Sequence, residues 1–255
     1  MGNPGPGLTA VLWDVDGTLA ETEFDGHRVA FNHAFAAAGL QGRWDRATYR
    51  RWLAITGGRE RMAAWLLEQE GQLPSPGRLD ALVRAKQDAY LSLVQAGGLS
   101  LRQGVARLIA ELAAAGVRQA IVTTSSHRAV QALAEGVLGD LANAFEFWVC
   151  GEDVERKKPD PEAYLLALDR LAAPRRQVLA VEDSAPGLAA ARAAGLITLV
   201  TLSSLSAAEP AAGFAAAAAV VQDLGDGSGP LPLVAGPACG EGVVTFSYLQ
   251  RLLSP

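Results

Sequence analysis

Apolar and polar positions follow a repeating order along the chain: a short apolar run, a polar cluster, then a stretch with helical period. Residues 8–13 are almost wholly apolar, and Asp14, Asp16, Gly17 and Thr18 follow at once. That order predicts a buried strand whose carboxyl end opens into a polar loop. It recurs at residues 117–122 before Thr123, at 145–150 before Gly151-Glu152-Asp153, and at 178–181 before Glu182-Asp183, with a fifth apolar run at 197–201. Between these runs, residues 105–115, 129–138, 161–171 and 185–194 place apolar side chains three and four apart, and Gly116 and Gly195 stand where helix C-caps belong. Strands alternating with helices of this length predict a parallel sheet covered on both faces. The ligand site of such a sheet lies beyond the carboxyl ends of its strands, where every polar cluster falls.

Residues 22–98 break the alternation. They predict helices at 29–38, 49–53, 59–70 and 79–95, joined by Gly-, Pro- and Ser-containing segments, with no strand among them. The architecture expected is therefore α/β: a Rossmann-like parallel-sheet core from residues 1–21 and 98–255, with an all-helical cap domain, 22–97, inserted after the first strand. Ala20-Glu21-Thr22 and Ala96-Gly97-Gly98 are the expected hinges. Residues 225–242 are rich in Gly and Pro and lack periodicity, and 243–253 is too short to classify, so 225–255 is expected to be an irregular extension.

At 255 residues and 50% apolar composition, the chain has room for a core plus an inserted module and is too apolar for disorder. A net charge of −5 leaves no electrostatic footprint for nucleic acid or an anionic membrane. Any phosphate must then be met by a few placed cations. Cys150 and Cys239 have neither disulfide-framework nor metal-site spacing and are expected to be reduced thiols. No basic segment followed by an apolar one opens the chain, and no apolar run nears the ~18 residues of a membrane span. These readings give the expectation of a soluble, cytoplasmic protein, monomeric because a mobile cap needs a free hinge.

The chemistry gathers at the strand ends. Asp14 and Asp16, separated by one residue at a turn that Gly17 permits, can supply a carboxylate nucleophile and an acid/base group. Thr123-Thr124-Ser125, between a strand and a helix, can offer hydroxyls and backbone N–H groups to a phosphate oxygen. A lysine of the Lys157-Lys158-Pro159 segment can neutralise both the nucleophile and a transferring phosphoryl group. Glu182 and Asp183 repel one another unless a cation lies between them, and hard oxygen donors suit Mg²⁺.

The ordered set Asp14-x-Asp16-Gly17-Thr18, Thr123, Lys158-Pro159 and Glu182-Asp183 resembles the four motifs of the haloacid dehalogenase superfamily, over residues 8 to about 201. The resemblance implies that Asp14 forms an aspartyl-phosphate and that Asp16 protonates the leaving group, then activates water. Thr123 and Lys158 would hold the phosphoryl group. Mg²⁺ would lie on the Asp14 carboxylate, the Asp16 carbonyl and Asp183, with Glu182 binding directly or through water.

The cap segments Glu21-Thr22-Glu23, Tyr49, Thr56-Gly57-Gly58-Arg59-Glu60-Arg61, Lys86 and Leu101-Arg102 resemble the CbbY-type subgroup. The subgroup implies a sugar-bisphosphate substrate, xylulose 1,5-bisphosphate. Gly57 and Gly58 would let backbone N–H groups approach an anion, Arg59, Arg61 and Lys86 would clamp the non-reacting phosphate, and Glu23 and Tyr49 would meet sugar hydroxyls. Residues 23–27 hold one residue more than the subgroup spacing before His27, which implies that His27 does not reach the substrate as it would in related mutases. That shift and the Gly57–Arg61 pattern weigh against the alternatives, a β-phosphoglucomutase-like enzyme and, less, a non-catalytic binding protein of the same fold.

Overall fold

The computed structural model describes residues 7–254. The reading of the chain's opening segment lies mostly outside the described residues.

Five strands form where the apolar runs predict them: β1 (Ala10–Trp13), β2 (Arg118–Val122), β3 (Phe145–Val149), β4 (Val178–Glu182) and β5 (Ile197–Thr201). With β6 (Ala219–Val221) and β7 (Leu233–Ala235) they make one sheet in the order β3-β2-β1-β4-β5-β6-β7. Every pairing is parallel except β6 with β7. β1 lies centrally and aligns Ala10 with both Arg118 and Val178, so Asp14 emerges between the ends of β2 and β4.

The alternation along β1 divides the core. Val11 and Trp13 face a cluster with Val105, Leu108, Ile109 and Leu112 of α5 (Val105–Ala114) and Tyr248 and Leu249 of α9 (Phe246–Leu252). Ala10 and Leu12 face Tyr164, Ala167 and Leu171 of α7 (Glu162–Leu171) and Ala190 and Ala191 of α8 (Ala185–Ala193). Burying a Val- or Leu-sized side chain contributes roughly 1.5–3 kcal/mol, so both faces of a central strand must be apolar. Gln119 is one of the polar side chains buried within the sheet, and it is satisfied. It accepts from Trp13 Nε1 at 3.0 Å and donates to the Ile109 carbonyl at 3.0 Å.

Between β1 and α5 the chain is helical: α1 (Arg28–Ala37), α2 (Arg46–Trp52), α3 (Gly58–Glu70) and α4 (Pro76–Gln95). Asp45 and Ser75 cap α2 and α4 by accepting from the backbone N–H of Thr48 and Arg78. This cap has its own core of Phe31, Phe35, Trp44, Tyr49, Trp52, Trp65 and aliphatic neighbours. Its rings stack or meet edge-on, as in Phe35–Trp65 at 4.1 Å and Trp44–Trp65 at 5.7 Å.

Four features differ from the pattern reading, the first being β6, a three-residue strand that the reading did not contain. The tail contains β7 and α9; α9 has seven residues, too few for periodicity to register, and packs Tyr248, Leu249 and Leu252 inward. The helix expected over 129–138 is α6 (His127–Leu133) continued by a π-helical turn, Ala134–Leu138. The bridge nearest the returning hinge is Ala20 with Leu101, three residues past Gly98, because Gly97 and Gly98 still cap α4 through Val94 and Leu93 carbonyls.

Candidate active site

Asp14 leaves β1 with its backbone N–H on the Val181 carbonyl, at the floor of a cleft between sheet and cap. The turn that follows needs Gly17, whose φ is +85°; a Cβ there would overlap the Asp183 carboxylate. Arg102 braces the turn from beneath, donating to the carbonyls of Gly17, Thr201, Leu202 and Gln222. Its guanidinium ties the loop after β1 to the ends of β5 and β6.

Lys158 is buried and donates to Asp14 Oδ1 at 2.8 Å, Glu182 Oε1 at 2.6 Å and the Val122 carbonyl at 2.8 Å. Burial pushes its pKa down, but Asp14 and Glu182 outweigh that and leave it above the usual lysine range. Lys157 points the other way, to Glu60 of the cap at 2.7 Å. The choice between the two lysines is thus made by geometry.

Asp14, Glu182 and Asp183 bring carboxylate oxygens within 4.8 Å of one another. Burial, with Glu182 and Asp16 nearby and Lys158 opposing, raises Asp14 from 3.8 to about 7, and burial beside Asp14 raises Asp183 well above the ordinary range. Such a set of buried hard oxygen donors holds charge at neutral pH only with a cation among them, which is the donor chemistry Mg²⁺ takes. Glu182 adds an orphan: Oε1 accepts from Lys158 and Tyr164, while Oε2 is buried without a partner. Tyr164 carried no signal in the sequence beyond that of a core position on α7.

The Asp16 side chain turns away from this cluster. Its Oδ1 meets Thr22 Oγ1 and, at 2.9 Å, His27 Nε2; its Oδ2 accepts from Ser125 Oγ. Burial pushes its pKa up, but His27, Ser125 and Thr22 outweigh that and leave it well below the carboxylate range. The expected displacement of His27 is therefore corrected. Glu23–His27 forms a single π-helical turn, with Arg28 N–H on the Glu23 carbonyl, five residues back. The wider turn absorbs the extra residue and returns His27 to the site.

His27 stacks on Tyr90 at 4.4 Å, and its Nδ1 lies 2.8 Å from Lys86 Nζ. Lys86 is lowered to about 8, chiefly by burial, with Asp16 and Glu23 opposing. Thr123 is buried and its Oγ1 accepts from the Ser125 N–H at 3.0 Å.

Two cavities open from this floor. One, of about 380 Å³, is lined by Asp14, Lys158, Asp183 and Arg50 among others. The second, of about 280 Å³, is lined by His27, Arg59, Lys86, Ser125 and Lys157 among others. Asp16, Glu23, Gly57, Arg61 and Thr124 line both and form the waist between them. Gly58, at the start of α3, also lines the second cavity. Tyr49 reaches neither cavity. It is fully buried, with its hydroxyl between the Glu23 carboxylate and Arg61 Nη1, so it positions Glu23 instead of facing the space a sugar would fill. Arg61 is held by the Trp52 and Ile55 carbonyls. Arg59 pairs with Asp80 at the rim. At Gly57, whose φ is +95°, the carboxylate beside the backbone is that of Glu60.

A carboxylate at the end of the central strand, a buried lysine, an acidic pair and an inserted helical cap fit a haloacid dehalogenase-type phosphatase. The family model for haloacid dehalogenase-like hydrolases matches residues 8–195, and the chain belongs to that family. Within it the likeness is to CbbY proteins. The chain is 45% identical to protein CbbY of Cereibacter sphaeroides over 195 residues, 76% of this chain and 84% of that protein. It is 42% identical to the plasmid-borne CbbY of Cupriavidus necator over 230 residues, 88% of this chain and 89% of that one. It also superposes with a TM-score of 0.78 on a mutant CbbY from Rhodobacter sphaeroides in complex with xylulose-(1,5)bisphosphate. That match is 40% identical and covers 85% of this chain and 94% of the other.

Proposed function

We propose that this enzyme is a Mg²⁺-dependent sugar-bisphosphate phosphatase that hydrolyses the 1-phosphate of xylulose 1,5-bisphosphate through an aspartyl-phosphate on Asp14. The observation that carries the reading is the pair of cavities joined at the Asp16–Glu23–Arg61 waist. One holds Asp14 and Lys158; the other holds Arg59, Lys86 and Lys157, cations that can meet a second anion. The relative solved with xylulose 1,5-bisphosphate supports the same substrate.

In this reading Asp14 Oδ attacks phosphorus in line with the departing sugar oxygen. Lys158 and the hydroxyl and N–H groups of Thr123, Thr124 and Ser125 meet the charge on the phosphoryl oxygens. Asp14, Asp183 and the Asp16 carbonyl, with Glu182 beside them, would hold Mg²⁺, which would supply charge neutralisation for the phosphoryl group. Asp16 passes a proton to the leaving oxygen and later takes one from water. Its Oδ1 lies 2.9 Å from His27 Nε2, which orients the carboxyl toward the cleft. Glu23, fixed by Tyr49, receives sugar hydroxyls, and Arg61 and Lys86 bridge toward the second phosphate. Gly57 and Gly58 offer backbone N–H groups to that phosphate once Glu60 swings aside.

One observation favours a second reading. The restored contact of His27 with Asp16 removes an argument against a phosphomutase, which must also return a proton to substrate at this position. Phosphate release with Mg²⁺ from xylulose 1,5-bisphosphate, ribulose 1,5-bisphosphate and β-glucose 1-phosphate, assayed in parallel, separates the readings. Strong preference for the first supports the proposal. Conversion of the third to a hexose 6-phosphate without phosphate release supports the mutase. Hydrolysis of all three at similar efficiency removes the substrate assignment.

A further inference from the structure

A second convergence of metal-ligating groups lies outside the acidic centre. At the end of β3 the chain turns through Cys150-Gly151-Glu152-Asp153, and the start of α6 brings His127 against this turn. His127 Nε2 lies 2.9 Å from Asp153 Oδ2, and the Cys150 N–H donates to the same oxygen at 2.7 Å. The His127 backbone N–H in turn donates to Glu152 Oε2 at 3.0 Å. One donor atom from each of His127, Cys150 and Asp153 falls within 4.8 Å of the other two.

From this geometry we infer a binding site for a borderline-soft divalent cation of the zinc class, held by His127 Nε2, Cys150 Sγ and the Asp153 carboxylate. Imidazole and thiolate, here beside one carboxylate, are donors that zinc takes and magnesium avoids, so the two centres select different ions. Tetrahedral coordination at about 2.0–2.3 Å per bond places donors about 3.5 Å apart, so His127 Nε2 and Asp153 Oδ2, now 2.9 Å apart, open slightly around an ion that Cys150 Sγ, within 4.8 Å of both, completes. Half of the His127 side chain is exposed and gives the ion a path from solvent, while Cys150 is buried. On binding, the Cys150 thiol loses its proton to solvent as Sγ–metal bonding replaces S–H, and His127 exchanges its contact with Asp153 for the metal.

The site ties the loop after β3 to the start of α6. Gly151 N–H already bonds the Ser125 carbonyl at 2.9 Å, and Gly151 and Glu152 line the 280 Å³ cavity. Sequence spacing carried no sign of this, because residue 127 and residues 150–153 meet only across neighbouring strands.

The test uses the full chain in saturating Mg²⁺, which occupies the acidic centre, titrated with Co²⁺ and then Zn²⁺. One equivalent of Co²⁺ produces a thiolate-to-cobalt charge-transfer band in the near ultraviolet, and Zn²⁺ erases it by displacement. Cys150→Ser abolishes the band, Cys239→Ser leaves it, and His127→Ala, a surface change that preserves the fold, weakens Co²⁺ binding about tenfold or more. No thiolate band, a band that survives Cys150→Ser, or unchanged affinity in His127→Ala would each overturn the assignment.

Discussion

Asp14→Asn is expected to do two opposite things: abolish turnover and stabilise the metal-free fold at neutral and alkaline pH. Asp14 is raised from 3.8 to about 7, with burial as the largest cause and Lys158 only partly opposing it. Between those values the native state binds more protons than the unfolded chain, so stability falls as pH rises from about 4 to about 7 and stays low above. At about 1.4 kcal/mol per pH unit, the carboxylate costs about 4 kcal/mol above pH 7 when no cation is present. Asparagine is nearly isosteric and stays neutral, so in EDTA at pH 8 the variant gains about 2–4 kcal/mol, or about 5–15 °C in Tm. At pH 4 the two proteins converge. Mg²⁺ is expected to raise the Tm of the parent chain and close most of the gap, while the variant responds weakly because it lacks one carboxylate of the acidic cluster. Thermal unfolding at pH 4, 6 and 8, with EDTA or with Mg²⁺, reads all of this. A variant less stable than its parent at pH 8 in EDTA, or a difference that does not change with pH, would refute the account of the acidic centre.

Three further outcomes follow from the same geometry. Arg59→Ala should raise KM about tenfold for a sugar bisphosphate and little for a small monophosphate, since Arg59 lines only the second cavity and its partner Asp80 is half exposed; equal effects in steady-state assays would remove it from the second-phosphate site. Deleting Asp25, an exposed residue of the π-helical turn, should convert that turn to α-helix and keep both Glu23 and His27 in place, with kcat within a few-fold of the parent; a loss of a hundredfold would mean that the turn itself shapes the site. Gly187→Ala should cost about 2 kcal/mol or more in chemical denaturation and lower kcat at least tenfold, because its Cβ overlaps the buried Glu182 carboxylate that Lys158 grips; a neutral result would show that Glu182 moves freely.

Local physics was sufficient for most of the architecture. Apolar runs of the right length made β1 to β5, and each polar cluster had to follow a strand because the parallel sheet buries everything before it. Asp14, Lys158, Glu182 and Asp183 were legible for that reason: their spacing along the chain maps onto adjacent strand ends once the sheet order is set. Tertiary contacts decided the rest. β7 is a three-residue edge strand held by β6, and α9 exists because Tyr248, Leu249 and Leu252 find a buried face; neither has a local signal strong enough to stand alone. His27 looked displaced when residues 23–27 were counted against the subgroup spacing, yet a π-helical turn places it on Asp16. Tyr49 looked like a ligand for sugar and became a support for Glu23, because burial and the reach of Arg61 fixed its hydroxyl. The meeting of His127 with Cys150 and Asp153 lay beyond any spacing rule. A sequence states which groups are available and which segments must be buried, but which polar groups face one another across a cleft depends on distances that only the packed chain possesses.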